Sequence, residues 1–140
     1  MTPPTRVLVA DDDPFVLDVV ADALSHRGAE VVRAADGGEL IERLALHGPF
    51  DLIVTDVSMP WMNGLQAIRS TRLAGIDAPV IVMSALADPR IPSQVRALGT
   101  KAVLLRKPFA MKDLDALVST LLERRGRAET NRTNVEGEAS

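Results

Sequence analysis

Five short runs of aliphatic residues, each followed by a segment of helical period, constrain this chain more than any other feature. The runs are Val7-Leu8-Val9, Val31-Val32, Leu52-Ile53-Val54, Val80-Ile81-Val82-Met83 and Val103-Leu104-Leu105. Each is apolar almost without interruption, as strands covered on both faces of a parallel sheet must be. Between them the period changes. Asp13-Pro14 supplies a cap and a first-turn proline, and Val16, Val19, Val20, Ala23 and Leu24 follow at helical spacing before Gly28. Asp36 caps a second helix with Leu40, Ile41 and Leu44 on one face and Gly48 past its end. A third is expected over Leu65 to Arg72, a fourth over Pro92 to Leu98 closed by Gly99, and a fifth over Met111 to Arg125. Five strand–helix units joined by right-handed crossovers predict an α/β fold with an open, doubly wound parallel sheet.

The remaining composition narrows the function classes. At 140 residues one domain is expected, large enough to bury a core without covalent staples. The absence of cysteine excludes disulfide scaffolds, thiolate metal sites and cysteine nucleophiles. The longest apolar run, Ala78 to Met83, is far short of the ~20 residues that cross a bilayer. The opening Met-Thr-Pro-Pro-Thr-Arg lacks the apolar core of a signal peptide, so a cytoplasmic protein without membrane association is expected. With 16 basic against 19 acidic residues and 3% aromatics, neither charge nor a stacking platform points to direct nucleic-acid binding. Residues 126–140 are polar and aperiodic and read as a disordered tail or linker stub.

The chemistry gathers at one edge. In an open α/β sheet ligands bind beyond the carboxyl ends of the strands. The first strand runs into Asp11-Asp12-Asp13, the third ends at Asp56, the fourth at Ser84 and the fifth at Lys107-Pro108. Asp13, directly before Pro14, is accounted for as a helix cap; Asp11 and Asp12 are not. If the first and third strands are neighbours, Asp11, Asp12 and Asp56 converge. Two such charges 4 Å apart repel by roughly 4 kcal/mol at an effective dielectric near 20. The cluster therefore calls for a cation, and an all-oxygen set suits Mg²⁺ or Mn²⁺ better than zinc. A carboxylate beside a divalent cation, a lysine and a hydroxyl is equipped for phosphoryl transfer. No Gly-x-x-x-x-Gly-Lys-[Ser/Thr] loop is present, so bound ATP is not the expected donor.

The spans VLVADDDP, DLIVTDVSMPWMNG, VIVMSA and LLRKPF resemble the response-regulator receiver domain of two-component signalling, over about residues 5–125. The resemblance implies a flavodoxin-like five-stranded parallel sheet of order 2-1-3-4-5 with helices on both faces. It implies that Asp56 accepts a phosphoryl group from the phosphohistidine of a sensor histidine kinase or phosphotransfer protein. Asp12, Asp56 and the backbone carbonyl of Ser58 would hold Mg²⁺, for which Mn²⁺ can substitute, with Asp11 orienting metal-bound water. Lys107 would pair with Asp56 and then with the phosphoryl group, across a cis Lys107-Pro108 bond. Ser84 would bind a phosphoryl oxygen and draw its loop inward. Output would pass by altered partner binding through the face made by the fourth helix, fifth strand and fifth helix, where Arg90, Arg96, Lys101, Arg106 and Lys112 are expected. The partner would be a downstream protein, a fused output domain if the chain is part of a longer regulator, or a second phosphorylated copy. No separate substrate turnover is expected of such a domain.

The chain departs from the family pattern at Leu104, where the family usually carries an aromatic switch residue, and in the proline-restrained stretch from Leu86 to Pro92. These departures motivate a second reading, a docking module that keeps the fold but signals without phosphate. A third reading, a phosphatase of haloacid-dehalogenase type, requires an acid two residues after the nucleophile, where Ser58 stands. Trp61, in the loop after Asp56, offers a fluorescent reporter of metal or phosphate. His26 and His47 fall near helix carboxyl ends, where an imidazolium is favoured.

Overall fold

The computed structural model describes residues 3–60 and 62–139, with side chains as far as Arg125, so Trp61 lies outside the described residues. The elements run β1 (Arg6–Ala10), α1 (Pro14–His26), β2 (Glu30–Ala34), α2 (Gly37–Leu46), β3 (Leu52–Asp56), α3 (Gly64–Leu73), β4 (Val80–Ser84), α4 (Arg90–Ala97), β5 (Ala102–Arg106) and α5 (Met111–Ala139). The strands form one parallel sheet in the expected order β2-β1-β3-β4-β5. All five residues of β3 and of β4 are buried, which explains their unbroken apolar runs. The edge strand β2 instead exposes Glu30 and Arg33, and Arg33 is tied to Asp18 and Asp22 of α1.

Alternate strand residues feed two cores, one on each face of the sheet. Val7, Val9, Leu52, Val54, Ile81 and Met83 pack against Leu17, Val20 and Leu24 of α1 and Leu114, Val118 and Leu121 of α5. Leu8, Ile53, Val80 and Val82 pack against Leu40 and Leu44 of α2, Ile68 of α3, and Ile91 and Val95 of α4. Truncating any of these leucines or isoleucines to alanine costs ~2–5 kcal/mol, so the sheet is a rigid platform for whatever stands at its edge.

The helix starts follow from capping side chains. Asp13 accepts from the Phe15 amide at 2.9 Å, Asp36 from Glu39 at 2.8 Å and Asn63 from Leu65 at 2.7 Å. Two boundaries differ from the sequence expectation. Helix α4 starts at Arg90 rather than Pro92, because Asp88 accepts the amides of Arg90 and Ile91 and opens the turn early. Pro92 then falls in the first turn, where a missing N–H costs nothing. Helix α5 continues past residue 125 to Ala139, across the position where the sequence composition changes.

Candidate functional site

Four strand ends bring their polar residues to one edge. Asp11 directly follows β1, and its amide donates to the Ala34 carbonyl of β2 at 3.1 Å. Asp56 is the last residue of β3 and Ser84 the last of β4. Lys107 follows β5, held by its amide to the Ser84 carbonyl at 2.9 Å. The sheet ladder thus fixes the spacing of the functional side chains. The Lys107-Pro108 peptide is cis, as the resemblance implies.

Asp11, Asp12 and Asp56 each offer a carboxylate oxygen, and these oxygens lie within 4.8 Å of one another. Asp11 is fully buried, Asp56 nearly so, and Asp12 is exposed at the mouth. Both Asp11 oxygens are engaged. Oδ1 accepts the Asp13 amide at 2.9 Å and Oδ2 accepts the Lys107 ammonium at 2.7 Å. Lys107 Nζ also stands 3.5 Å from Asp56 Oδ1, so the lysine expected on Asp56 pairs with both acids and lies nearer to Asp11. Burial alone would lower the Lys107 pKa, but the hydrogen bond to Asp11 and the two carboxylate charges outweigh it and hold it raised.

One ammonium faces three carboxylates, and the imbalance falls on Asp56. Burial, reinforced by the charge of Asp11, raises its pKa from 3.8 to about 6 against the opposing pull of Lys107. The donor set is all oxygen, without histidine or cysteine, and it leaves Asp56 with excess negative charge at neutral pH. Those residues fit a hard divalent cation with retained water. Ser58 lies exposed in the loop two residues beyond Asp56. Ser84 is buried, and its Oγ accepts the Leu86 amide at 3.0 Å, which leaves the hydroxyl proton to donate elsewhere. Leu104 pairs with Val82 across β4–β5 and packs, partly buried, on the core face that carries α4.

Thr55 and Gly64 lie in the DLIVTDVSMPWMNG span, but nothing in the sequence signals their contacts with the Asp56 backbone. The buried Thr55 hydroxyl donates to the Asp56 carbonyl at 3.0 Å. A Cβ on Gly64 would overlap that same carbonyl oxygen and approach Thr55 Oγ1 to 2.9 Å. Gly64 lets α3 begin directly against the backbone of Asp56. The available signal was a glycine at the first position of a helix, where it is a poor helix former.

An acid cluster, a lysine and a hydroxyl at the carboxyl edge of a 2-1-3-4-5 parallel sheet mark a flavodoxin-like α/β domain. The family follows from sequence: residues 7–119 match the response regulator receiver domain, and the chain belongs to that family. It is 38% identical over 122 residues to Response regulator MprA of Mycobacterium sp. strain KMS, covering 86% of this chain and 52% of that protein. It is 38% identical over 127 residues to Transcriptional regulatory protein PrrA of Mycobacterium tuberculosis, covering 90% and 53%. The chain therefore spans about half the length of the curated relatives it matches. The receiver domain of the Francisella response regulator 1452 superposes with a TM-score of 0.78 at 30% identity, covering 86% of this chain and 98% of that one. The response regulator TrrA of Thermotoga maritima, solved in complex with Mg²⁺-BeF, gives 0.73 at 27% identity, covering 84% and 99%. Among the described residues no helix is long and apolar enough to cross a membrane.

Proposed function

We propose that this receiver domain is switched by phosphorylation of Asp56 in a Mg²⁺-dependent reaction with a histidine kinase or phosphotransfer protein. The observation that carries it is the packing of Asp11, Asp12 and Asp56 oxygens within 4.8 Å, with Lys107 2.7 Å from one and 3.5 Å from another. Asp12, Asp56 and the Ser58 carbonyl would hold Mg²⁺, with Mn²⁺ as substitute, and Asp11 would orient its water. Bound there, the cation neutralises charge on the transferring phosphoryl oxygens. An Asp56 carboxylate oxygen attacks phosphorus in line, the P–N bond to the donor imidazole breaks, and that nitrogen takes up a proton. Lys107 turns from the carboxylates to the phosphoryl group, and Ser84 donates its free hydroxyl proton to a phosphoryl oxygen.

The phosphorylated state then biases a conformational equilibrium, read by a partner with unequal affinity for the two forms. The face of α4, β5 and α5 is the proposed surface, with a downstream protein, a fused output domain or a second copy as reader. The setting is cytoplasmic, and the domain turns over only its own aspartyl phosphate. Acetyl phosphate with Mg²⁺ should label the purified chain, and Asp56→Asn should abolish labelling. Folded wild-type protein that stays unlabelled over hours would sink the reading. A leucine at position 104, packed on the α4 face, supports one alternative, a module that docks without phosphate. That alternative wins if labelled and unlabelled protein have the same partner affinity and oligomeric state.

A further inference from the structure

The loop between β3 and α3 is pinned in three places. Its start is held by the Gly64 amide on the Val57 carbonyl at 3.0 Å, and its end by the Asn63 cap on Leu65. The middle pin comes from a distant element. The Gly37 amide, in the first turn of α2, donates to the Pro60 carbonyl at 3.3 Å, and the Met62 amide closes a tight turn on the same carbonyl at 2.9 Å. Gly37 does more than donate. A Cβ there would stand 2.5 Å from Met62 O, 2.7 Å from Met62 Cβ and 2.9 Å from Met62 N. All three are backbone or first side-chain atoms, so no rotamer change can clear them. Nor can α2 retreat. Leu40 is fully buried and Leu44 nearly so, and Asp36 and Glu39 close the helix start by reciprocal bonds to the amides of Glu39 and Ala35.

We infer that Gly37 is a positioning residue, whose bare α-carbon sets where the loop carrying Ser58 lies and thereby the divalent-cation affinity of the acid cluster. The inference rests on the proposed reading of that cluster as a Mg²⁺ site. With both loop ends pinned and α2 anchored by its buried leucines, a methyl group at position 37 displaces Pro60 and Met62, and the strain reaches Ser58 two residues upstream of Pro60. Outer contacts that hold metal ligands in place typically change affinity by ~10–100-fold when broken.

The adjacent glycine supplies the control. A Cβ on Gly38 meets only the Asp36 carboxylate oxygen, at 3.2 Å, while sharing the same helix turn. Mg²⁺ titrated calorimetrically into the metal-free chain should bind Gly37→Ala at least ~10-fold more weakly than wild type and Gly38→Ala within about twofold. At saturating Mg²⁺ the acetyl-phosphate labelling rate of Gly37→Ala should return towards wild type, since the reacting groups are untouched. Equal affinity in Gly37→Ala and wild type, or equal losses in the two variants, overturns the inference while leaving the metal site intact. A wild-type chain that binds no Mg²⁺ overturns the site reading and the inference together. If Gly37→Ala does not fold, hydrogen exchange on wild type decides. By reciprocity, Mg²⁺ must slow exchange at the Gly37 amide that reaches Pro60, and an unchanged rate there overturns the coupling.

Discussion

The two loops beside Asp56 and Ser84 are built to opposite standards. The β3–α3 loop is pinned at Val57, Pro60 and Asn63, and it enters a helix that buries Gly64, Leu65, Ala67, Ile68 and Thr71. The β4–α4 loop enters an eight-residue helix that buries only Ile91 and Val95 and whose N-cap, Pro89, offers no side-chain cap. It is held by Ser84 Oγ on the Leu86 amide and by Asp88 on Arg90, and it exposes Leu86. Both loops follow site residues, but only the first borders the acid cluster. On the proposed reading, the chemistry would sit on the fixed segment and the response on the loosely held one, so that metal binding and transfer survive the movement.

The largest expected effect strikes the fixed loop. Gly64→Ala places a methyl group on the Asp56 carbonyl and against the Thr55 hydroxyl, neither of which can move without breaking the end of β3. A loss of about 3 kcal/mol in urea unfolding is expected, the upper range for overpacking a filled site, together with failure of Asp56 labelling. Pro89→Ala in the other loop should change stability by under ~0.5 kcal/mol. Equal losses in the two variants would erase the distinction.

Protonation tests the same region more gently. The folded chain holds the Asp56 proton up to about pH 6, whereas an unfolded one releases it near 3.8. More protons are bound by the folded form between those values, so metal-free stability falls as pH rises through that window and stays low above it. At ~1.4 kcal/mol per pKa unit the total is at most about 3 kcal/mol. Asp56→Asn should flatten this part of the pH–stability profile and raise metal-free stability at neutral pH. Mg²⁺ competes with the same proton, so its affinity should drop about tenfold per pH unit below 6 and level off above. A Mg²⁺ affinity flat from pH 5 to 7 would contradict the raised Asp56 pKa.

Much of this architecture was legible because each element follows a local rule. Val80 to Met83 reads as a doubly covered strand, and Asp36 reads as a cap because its side chain meets the Glu39 amide. Gly28 and Gly99 close their helices at positive φ, as their places past apolar periods suggested. The convergence of Asp11, Asp12 and Asp56 was legible for another reason: three acids at the ends of neighbouring strands have nowhere else to go. What stayed hidden depends on approach between distant segments. Nothing local distinguishes Gly37, wedged against Met62, from Gly38, where a Cβ would meet only an Asp36 carboxylate oxygen at 3.2 Å. The preference of Lys107 for Asp11 over Asp56 likewise follows from ångström differences that strand order does not specify.

Ser84→Ala acts on the looser loop and should do less. It removes the acceptor of the Leu86 amide, a partly buried bond, for about 1 kcal/mol of stability. Labelling of Asp56 should persist but slow, because the acid cluster is intact while the hydroxyl donor to a phosphoryl oxygen is gone, and the phosphorylation-dependent change in α4 should shrink. Amide hydrogen exchange across Arg90–Ala97, with and without beryllofluoride, reads that change directly. A variant that loses labelling altogether would make Ser84 indispensable to the transfer itself rather than an aid to it and a part of the response.

The smallest effect is expected at Leu104, and it sharpens the comparison most. This side chain sits on β5 opposite Val82, partly buried on the face that carries Ile91 and Val95 of α4. A leucine there has neither a ring to swing between two packings nor a hydroxyl to find a new partner. The wild-type chain should therefore show only a modest rearrangement of β5 and α4 on adding beryllofluoride. Leu104→Tyr adds volume at a half-open position, so its stability should stay within ~1 kcal/mol of wild type. Labelling rate and Mg²⁺ affinity should not move, since both belong to the pinned side of the site. The exchange difference across α4 between free and beryllofluoride-bound protein should grow in Leu104→Tyr. If instead the wild-type chain already shows a large rearrangement there, the slack in the β4–α4 loop is sufficient for signalling without an aromatic residue. The loose construction of that loop, rather than the side chain at position 104, would then be what makes α4 responsive.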